Sequence, residues 1–288
     1  MIGRTMKRHI SVSLLLALLL VSICSSVHAA TPPAGERGLQ LLSFTTDKDI
    51  YSAKEEMSLY LTIHAPQDLS EVFVTVEGVL SKKGVKYVTY SSKTNLTAGE
   101  NIISFTKTLP ACSSCAGIAQ GTYYIEAEVK HGTEELQATH SIAITSGPNQ
   151  VIPVDVVVEE TRRMVVSTSE GIILVDVRNA TDYDAAHIKG AISLPLANFT
   201  NSTAALNKSD KIVVYSEDGA NSSIATGILI EQGFERVYNV IGGINAWNES
   251  GYPKVSTAEE NPAAPGFELA LALVAVLLIA YRVRRRAV

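Results

Sequence analysis

The stretch that decides the fold of the C-terminal half reads IVVYSEDGANSSIATGILIEQG and spans residues 212–233. It opens with a short apolar run, which is typical of a strand buried on both faces of a sheet. A helical pattern follows, and Gly233 suits the position after its C-terminus. The predicted buried face of that helix consists of Ile224, Ala225, Ile228 and Leu229. A buried strand that leads directly into a helix indicates an α/β domain with a parallel sheet.

Neighbouring segments repeat this unit. Residues 172–175 form a second apolar run, and residues 237–240 form a third. The third run leads into a short helix around Trp247, whose side chain we expect in the core. The hydrophobic period changes near Pro153, so we place the α/β domain at residues 150–255.

The N-terminal half has a different period. Apolar residues alternate with polar ones in residues 57–63, 72–76 and 123–129, and glycines separate the runs. This pattern predicts half a dozen or more short strands in an antiparallel β-sandwich, at residues 38–146. Its opening, residues 46–51, resembles that of immunoglobulin-like extracellular modules, which implies a fold and no function. The predicted fold class is thus an all-β, Ig-like sandwich followed by an α/β domain with a central parallel sheet.

Four blocks in the α/β domain carry a more specific resemblance. They read LVDVR (174–178), HIKGA (187–191), GF (233–234) and GGINAW (242–247). In this order they resemble a rhodanese domain. The resemblance implies a sulfur-carrying cysteine at the end of a central strand, in a loop whose backbone amides and following helix stabilise a thiolate and bind anions.

The corresponding loop contains no cysteine. It consists of Ser216, Glu217, Asp218, Gly219, Ala220, Asn221 and Ser222. The resemblance places the nucleophile's position at Ser216 and the family's usual arginine at Asn221. A serine cannot hold a persulfide, so a degenerate site without catalytic residues is implied. The resemblance also implies that Asp176 and Arg178 brace the loop.

A hydrolytic role for Ser216 would require a positioned base. His187 is the only histidine in the main motifs of this domain, and the resemblance gives its block a structural role. The carboxylates of Glu217 and Asp218 would repel phosphate or sulfate, and could attract a cation or a basic partner. As solvated residues, they would favour the N-terminus of the following helix.

Cys112 and Cys115 lie on a predicted loop between Pro110 and Gly117. In an oxidising compartment this pair is expected to form a small disulfide. Two alternatives stay open: a redox-active C-x-x-C, and a zinc site that would need two further ligands. No cofactor or metal is expected.

Both ends of the chain predict export. Residues 1–29 have a basic N-terminal region, an apolar run and small residues before the predicted cleavage site, as in a secretory signal peptide cleaved after Ala29. Near the C-terminus an apolar run, residues 267–281, precedes an arginine cluster, which is typical of a membrane segment with its basic end inside.

The sequence Pro265-Gly266-Phe267 immediately precedes the apolar run. Tripeptide, apolar run and basic tail together resemble the PGF-CTERM sorting signal of archaeal surface proteins. The resemblance implies that an archaeosortase exchanges residues 266–288 for a lipid. Residues 256–265 are predicted to form a linker. The expected location is the cell surface, on the extracytoplasmic face of the plasma membrane.

Composition agrees with a protein outside the cell. The chain has 288 residues and a net charge of -5, so it has no basic footprint that would predict a nucleic-acid partner. Seven Asn-x-Ser/Thr motifs are candidate N-glycosylation sites. They lie at Asn95, Asn179, Asn198, Asn201, Asn207, Asn221 and Asn248.

Two functions compete. The leading hypothesis is a membrane-anchored cell-surface protein whose non-catalytic rhodanese-like domain binds a protein or cell-envelope partner, or acts structurally. The alternative is an extracytoplasmic sulfurtransferase or thiol-redox protein that uses Cys112 and Cys115.

Overall fold

The structure is a computed structural model that describes residues 38–112, 117–166 and 171–260. The described residues belong to one compact unit. The predicted signal peptide, the predicted C-terminal membrane segment and Cys115 lie outside the described residues. Within the described part of the chain, no helix has both the length and the apolarity needed to cross a bilayer.

In the described residues of the N-terminal domain there are eight strands in two sheets. One sheet has the order β1-β3-β6 and the other β2-β8-β7-β4-β5. The strands are β1 (Gln40–Thr46), β2 (Ile50–Ser52), β3 (Glu56–Ala65), β4 (Leu69–Leu80), β5 (Lys86–Leu96), β6 (Gly99–Thr108), β7 (Gly121–His131) and β8 (Glu134–Thr145). All neighbours pair antiparallel except β2 and β8, which are parallel.

The alternation of buried and less buried side chains along the strands explains how these sheets pack. In β3, every second side chain from Met57 to Ile63 is fully buried, and the intervening ones are less so. The same alternation in β4 buries Val72, Val74 and Val76 in the same apolar core. The predicted sheet-rich N-terminal half is confirmed, and its Ig-like classification stays a prediction.

The described part of the C-terminal domain has five parallel strands in the order β11-β10-β12-β13-β9. The strands are β9 (Val154–Val156), β10 (Ile172–Asp176), β11 (Ile192–Ser193), β12 (Lys211–Tyr215) and β13 (Arg236–Val240). The helices are α1 (Val158–Val166), α2 (Ala180–Ala185), α3 (Phe199–Ser202), α4 (Ala220–Glu231), α5 (Gly243–Glu249) and α6 (Thr257–Glu260). The predicted α/β domain with a parallel sheet is confirmed.

Apolar cores cover both faces of this sheet. Val213 and Tyr215 of the central strand β12 point to one core, which also contains Trp247. Ile212 and Val214 point to the other core, on the opposite face. Because both faces of this strand are buried, apolar residues occupy successive positions along it, which explains the continuous apolar run. The predicted burial of Trp247 is confirmed, and its indole nitrogen donates to the carbonyl of Pro253 at 3.0 Å.

The predicted buried face of α4 was wrong at one residue. Ile224 is 57% exposed. The helix instead turns Ser222 and Thr226 inward, beside Ala225 and Leu229. Ser222 hydrogen-bonds to Asn239 on β13, so a polar contact fixes the rotation of the helix, which a pattern of apolar residues does not reveal.

The two domains pack against each other directly. Ala143 of β8 and Ile50 of β2 belong to the sandwich by sequence, but they pack in the C-terminal core that contains Tyr238. Residues 252–260 also stay close to the C-terminal domain. Val255 forms a β-bridge with His187, and Thr257 Oγ1 donates to Asp184 Oδ1 at 2.8 Å. The predicted linker therefore begins with residues that are attached to this domain.

Candidate functional site

The loop of residues 216–219 lies at the carboxyl end of β12, the central strand, and leads into α4. In parallel sheets, ligand sites lie at this edge of the sheet. Gly219 makes the turn with a φ of +95°, and a Cβ there would lie 3.1 Å from both Val240 O and Gly242 N. The turn thus requires glycine for its backbone conformation and for its close approach to the next loop.

Ser216 is 1% exposed, so its hydroxyl lies beneath the loop and not at the surface. Its Oγ atom accepts a hydrogen bond from Gly219 N at 3.1 Å and lies 3.3 Å from Ser222 Oγ. Ser222 Oγ in turn donates to Asn239 Oδ1 at 2.7 Å. The Asn239 amide nitrogen donates to Asp155 Oδ1 at 2.8 Å.

These contacts determine which of the two serine hydroxyls donates to the other. A serine hydroxyl has one proton, and that of Ser222 points to Asn239 or to the carbonyl of Gly219. Ser222 Oγ therefore accepts a hydrogen bond from Ser216 Oγ, and this contact uses the only hydroxyl proton of Ser216. A nucleophilic serine would need a base to take this proton. Both of the contacts to Ser216 Oγ are instead with the loop and the helix that it supports.

His187 does not supply that base. Its ring is fully buried, Nδ1 lies 2.8 Å from the carbonyl oxygen of Tyr183, and Nε2 lies 3.0 Å from Glu260 Oε2. The ring also stacks on Tyr183 with centroids 3.9 Å apart. Both nitrogens are thus engaged outside the loop, and the role of this histidine is to hold α2 and the segment that follows the domain.

Asp176 and Arg178 form a two-pronged ion pair at the end of β10. Arg178 donates from Nη2 to Asp176 Oδ2 at 2.7 Å and to the carbonyl of Ala186 at 2.7 Å. Burial lowers the pKa of Arg178, but the hydrogen bond and charge of Asp176 more than offset this and raise it. Arg178 reaches the loop through one weaker contact, 3.6 Å from Nη1 to Glu217 Oε2.

The rim of the site is acidic. Glu217 and Asp218 are exposed, and so are Ala220 and Asn221 in the first turn of α4. Asp218 Oδ1 accepts from the backbone N–H of Ala220 at 3.0 Å, so this carboxylate satisfies a free amide at the start of the helix. Beneath the rim, the amides of Ile244 and Asn245 donate to the carbonyls of Ser216 and Glu217 at 2.9 and 3.0 Å.

Of the two cysteines Cys112 and Cys115, the structure describes Cys112 alone, and it lies in the sandwich and not beside this loop. Cys112 belongs to the sandwich, where its Sγ lies 3.6 Å from the carbonyl oxygen of Thr145. Burial raises the pKa of its thiol. Cys112 has no disulfide partner among the described residues, and Cys115 lies outside them. The predicted disulfide stays a prediction. In residues 38–112, 117–166 and 171–260, no cluster of three or more acidic, His or Cys side chains is arranged to hold a metal ion.

A second polar cluster lies between the domains and was missed by sequence analysis. His140 and Asp49 from the sandwich meet Glu160, Lys211 and Tyr238 from the C-terminal domain. These side chains line a cleft of about 1160 Å³. The partners are 20 to 189 residues apart in the sequence, so spacing gave no signal for them.

Comparison with known proteins agrees with the geometry of the second domain. The profile of the rhodanese-like domain matches residues 158–250. The thiosulfate sulfurtransferase GlpE of Pseudoalteromonas translucida is 34% identical over 86 residues, which cover 30% of this chain and 82% of that protein. A sulfurtransferase of Allochromatium vinosum is 34% identical over 88 residues, 31% of this chain and 82% of that protein.

Another relative is matched over a smaller part. YrkF of Bacillus subtilis, which is named as a sulfur carrier protein, is 33% identical over 82 residues, 28% of this chain and 44% of that protein. This chain thus spans less than half the length of YrkF. Among solved structures, the rhodanese-like domain of Alr3790 from Anabaena is 27% identical and covers 38% of this chain and 83% of that one, with a TM-score of 0.35. Through the domain at residues 158–250, this chain belongs to the rhodanese-like family.

Proposed function

We propose that the rhodanese-like domain of this protein does not transfer sulfur and serves as a binding or structural module on an anchored cell-surface protein. The observation that carries this proposal is the state of Ser216, at the position where the family resemblance puts the sulfur-carrying cysteine. Ser216 is 1% exposed, and both hydrogen bonds of its hydroxyl are made within the domain.

Sulfur transfer needs a thiolate that forms an S–S bond with the donor sulfur. A hydroxyl does not form this bond, and residues 216–222 contain no sulfur atom. The rim also opposes a sulfur donor such as thiosulfate, because Glu217 and Asp218 carry the same sign of charge as the donor. Asn221, at the family's arginine position, adds no compensating charge.

An assay of thiosulfate:cyanide sulfurtransferase activity tests this proposal. The full chain, purified in detergent, is compared with its Ser216→Ala and Ser216→Cys variants. We expect no thiocyanate above the uncatalysed rate from the wild type or from Ser216→Ala. Activity in the wild type that disappears in Ser216→Ala would overturn the proposal. Activity gained only in Ser216→Cys would show that the pocket is intact and lacks only its sulfur.

The thiol alternative has less support. Burial raises the pKa of the Cys112 thiol, which lowers the fraction present as the reactive thiolate. A thiol count on the native protein separates the two functions. A locked disulfide between Cys112 and Cys115 supports a structural role, whereas reducible or persulfidated thiols support sulfur or redox chemistry. Activity in the wild type that survives in Ser216→Ala would make these two cysteines the next residues to replace.

Anchoring at the cell surface is the second part of the proposal. It rests on the predicted leader at residues 1–29 and on the predicted sorting signal at residues 265–288. In that signal a tripeptide, an apolar run and a basic tail follow one another in sequence. The intact mass of the native protein tests whether the C-terminal segment is exchanged for a lipid. Loss of the residues after Pro265 with a lipid-sized addition is the expected result, and an intact arginine-rich tail would exclude this exchange.

A further inference from the structure

The β4–β5 hairpin of the sandwich ends in two apolar side chains that are exposed to solvent. Leu80 is the last residue of β4, and Val85 immediately precedes β5. Their exposed fractions are 56% and 49%. Single exposed apolar residues are common on protein surfaces, but these two flank one short turn, residues 81–84. The tip of the hairpin therefore presents an apolar pair to its surroundings.

Leu80 is exposed because the alternation along β4 is broken just before it. Val74, Val76 and Gly78 are buried, and strict alternation would bury Leu80 as well. Val79 instead has a φ of +53°, and its side chain is fully buried in the core of the sandwich. A positive φ is an outlier for a β-branched residue. The left-handed residue shifts the alternation by one position, so the side chain of Leu80 faces the solvent.

Hydrogen bonds hold the turn in one conformation. The N–H of Ser81 donates to the carbonyl of Val85 at 2.8 Å, and the N–H of Val85 donates to Ser81 Oγ at 3.0 Å. The N–H of Gly84 also donates to the carbonyl of Ser81, at 2.9 Å. Outside the turn, the N–H of Lys82 donates to the carbonyl of Gly117 at 3.0 Å. Because the turn is already ordered, binding through it costs little conformational entropy.

Positive charge surrounds the apolar pair. Residues 80–86 contain Lys82, Lys83 and Lys86 and no acidic residue, and all three lysines are exposed. Lys86 also pairs with Glu77 on β4, so the tip keeps an excess of positive charge. Apolar side chains beside basic ones are typical of segments that bind at the interface of a bilayer with anionic headgroups.

The length of chain after the described residues brings a membrane close. Only residues 261–265 separate Glu260 from the predicted sorting segment at residues 266–288. Five residues span at most about 18 Å when fully extended. With the proposed anchor at this point, the end of the folded part stays within that distance of the bilayer, and residues 38–260 belong to one compact unit.

We propose that the tip of the β4–β5 hairpin, residues 80–86, docks on the outer leaflet of the membrane. Leu80 and Val85 enter the headgroup region, and the lysines lie beside anionic headgroups. The inference rests on the proposed anchor for the nearness of the membrane. The anchor is one point of attachment and the hairpin is a second, so the folded part is held in one orientation above the bilayer.

A tryptophan at the tip of the hairpin tests this contact. Leu80→Trp and Val85→Trp are made in the full chain, which is reconstituted into vesicles that contain phosphatidylglycerol and brominated lipids. The wild type provides the background, because its single tryptophan, Trp247, is buried. Interfacial side chains lie about 5–10 Å into the headgroup and acyl boundary, so bromine near the headgroups should quench more emission than bromine at the chain end. Unchanged emission in both variants would overturn the proposal.

Two controls test whether the contact is specific. Ile102→Trp places the reporter at a 70% exposed position on β6 of the same sandwich, and its emission should not change. Quenching there as strong as at residue 80 would contradict docking through the hairpin. Replacing both Lys82 and Lys83 by Glu in the Leu80→Trp chain should reduce the quenching. Equal quenching with these lysines replaced, or on vesicles without phosphatidylglycerol, would overturn the assignment of an anionic surface.

Flotation of the same samples separates this inference from the proposed anchor. A chain that floats with neutral and anionic vesicles, but shows no quenching at residue 80, would support the anchor and overturn the hairpin contact. A chain that floats only with anionic vesicles and is quenched there would support the hairpin and contradict the anchor. A chain that floats with neither would contradict both.

Discussion

Ser222 Oγ lies 2.7 Å from Oδ1 of Asn239, and both side chains are buried under the loop that begins at Ser216. This contact supports Ser216 from below and fixes the rotation of α4 against β13. Ser222→Ala removes the hydroxyl that both neighbours use, and leaves Asn239 Oδ1 and the Ser216 proton without this partner. We expect a loss of about 1–3 kcal/mol in the free energy of unfolding, measured by urea denaturation. The exposed neighbour Ser223 provides the control, and equal losses in Ser222→Ala and Ser223→Ala would contradict a structural role for the contact.

Gly243 allows the start of α5 to lie directly on the loop. A Cβ at this position would lie 2.2 Å from Ser216 O and 2.7 Å from Glu217 O, and the residue has a φ of +56°. Gly243→Ala should therefore cost about 2–4 kcal/mol of folding stability, because it combines a left-handed backbone with a backbone clash. Gly251→Ala separates the two effects, since Gly251 has a φ of +71° with no atom near its Cβ position. We expect it to cost only about 1–2 kcal/mol. Similar losses for the two variants would mean that the loop moves away easily.

Glu260 connects the end of the described chain to the domain through His187 and the amide of Gly190. The hydrogen bond from His187 is the main cause that lowers the pKa of Glu260, and the amide of Gly190 adds to it. A lowered folded pKa means that the stabilisation is present above the unfolded pKa and is lost as pH falls through the folded pKa. Glu260→Gln should thus lower Tm at neutral pH and have little effect in acid, where the wild-type carboxyl is protonated. The exposed Glu249→Gln is the control, and an effect of Glu260→Gln that does not depend on pH would argue against a role for the carboxylate charge of Glu260.

All seven candidate glycosylation sites are exposed in the structure. Exposure is a requirement for glycan attachment and does not show that attachment occurs. If these sites are used, the intact mass of the protein from its native source should exceed its sequence mass, and Asn221→Gln should remove one glycan from the rim of the loop. Asn245→Gln, an exposed asparagine outside any sequon, should leave the mass of the glycans unchanged. A native mass equal to that of the unmodified polypeptide would exclude the modification.

Much of the fold follows from the period of apolar residues. The buried runs around Val175, Val213 and Val240 predict a parallel sheet because each strand is covered on both faces. The period does not fix the rotation of a helix that packs through small polar residues, which is why Ile224 was wrongly placed inside. Ser222 and Thr226 occupy that face because Ser222 has a hydrogen-bond partner on β13, and partners in space are not encoded in local spacing.

The candidate site, too, could be predicted from the sequence only in part. The loop of residues 216–222 can be located from the sequence, because its position after a buried strand and before a helix is a local property. The hydrogen bonding of the Ser216 hydroxyl depends on Ser222, Asn239 and Asp155, and the last two residues are 84 positions apart in the sequence. The cluster of His140, Glu160 and Asp49 depends on how two domains meet, and no residue in it is unusual in its own segment.

The packing of Ala143 inside the C-terminal core has a consequence for the independence of the two halves. Chain order and the prolines near residue 150 suggest two modules that could be exchanged or expressed separately. A cut at Pro148 would nevertheless remove part of the hydrophobic lining of the second half and leave Glu160 without its donors. The two halves therefore share part of one hydrophobic core, so separating them at this boundary is expected to destabilise the second half.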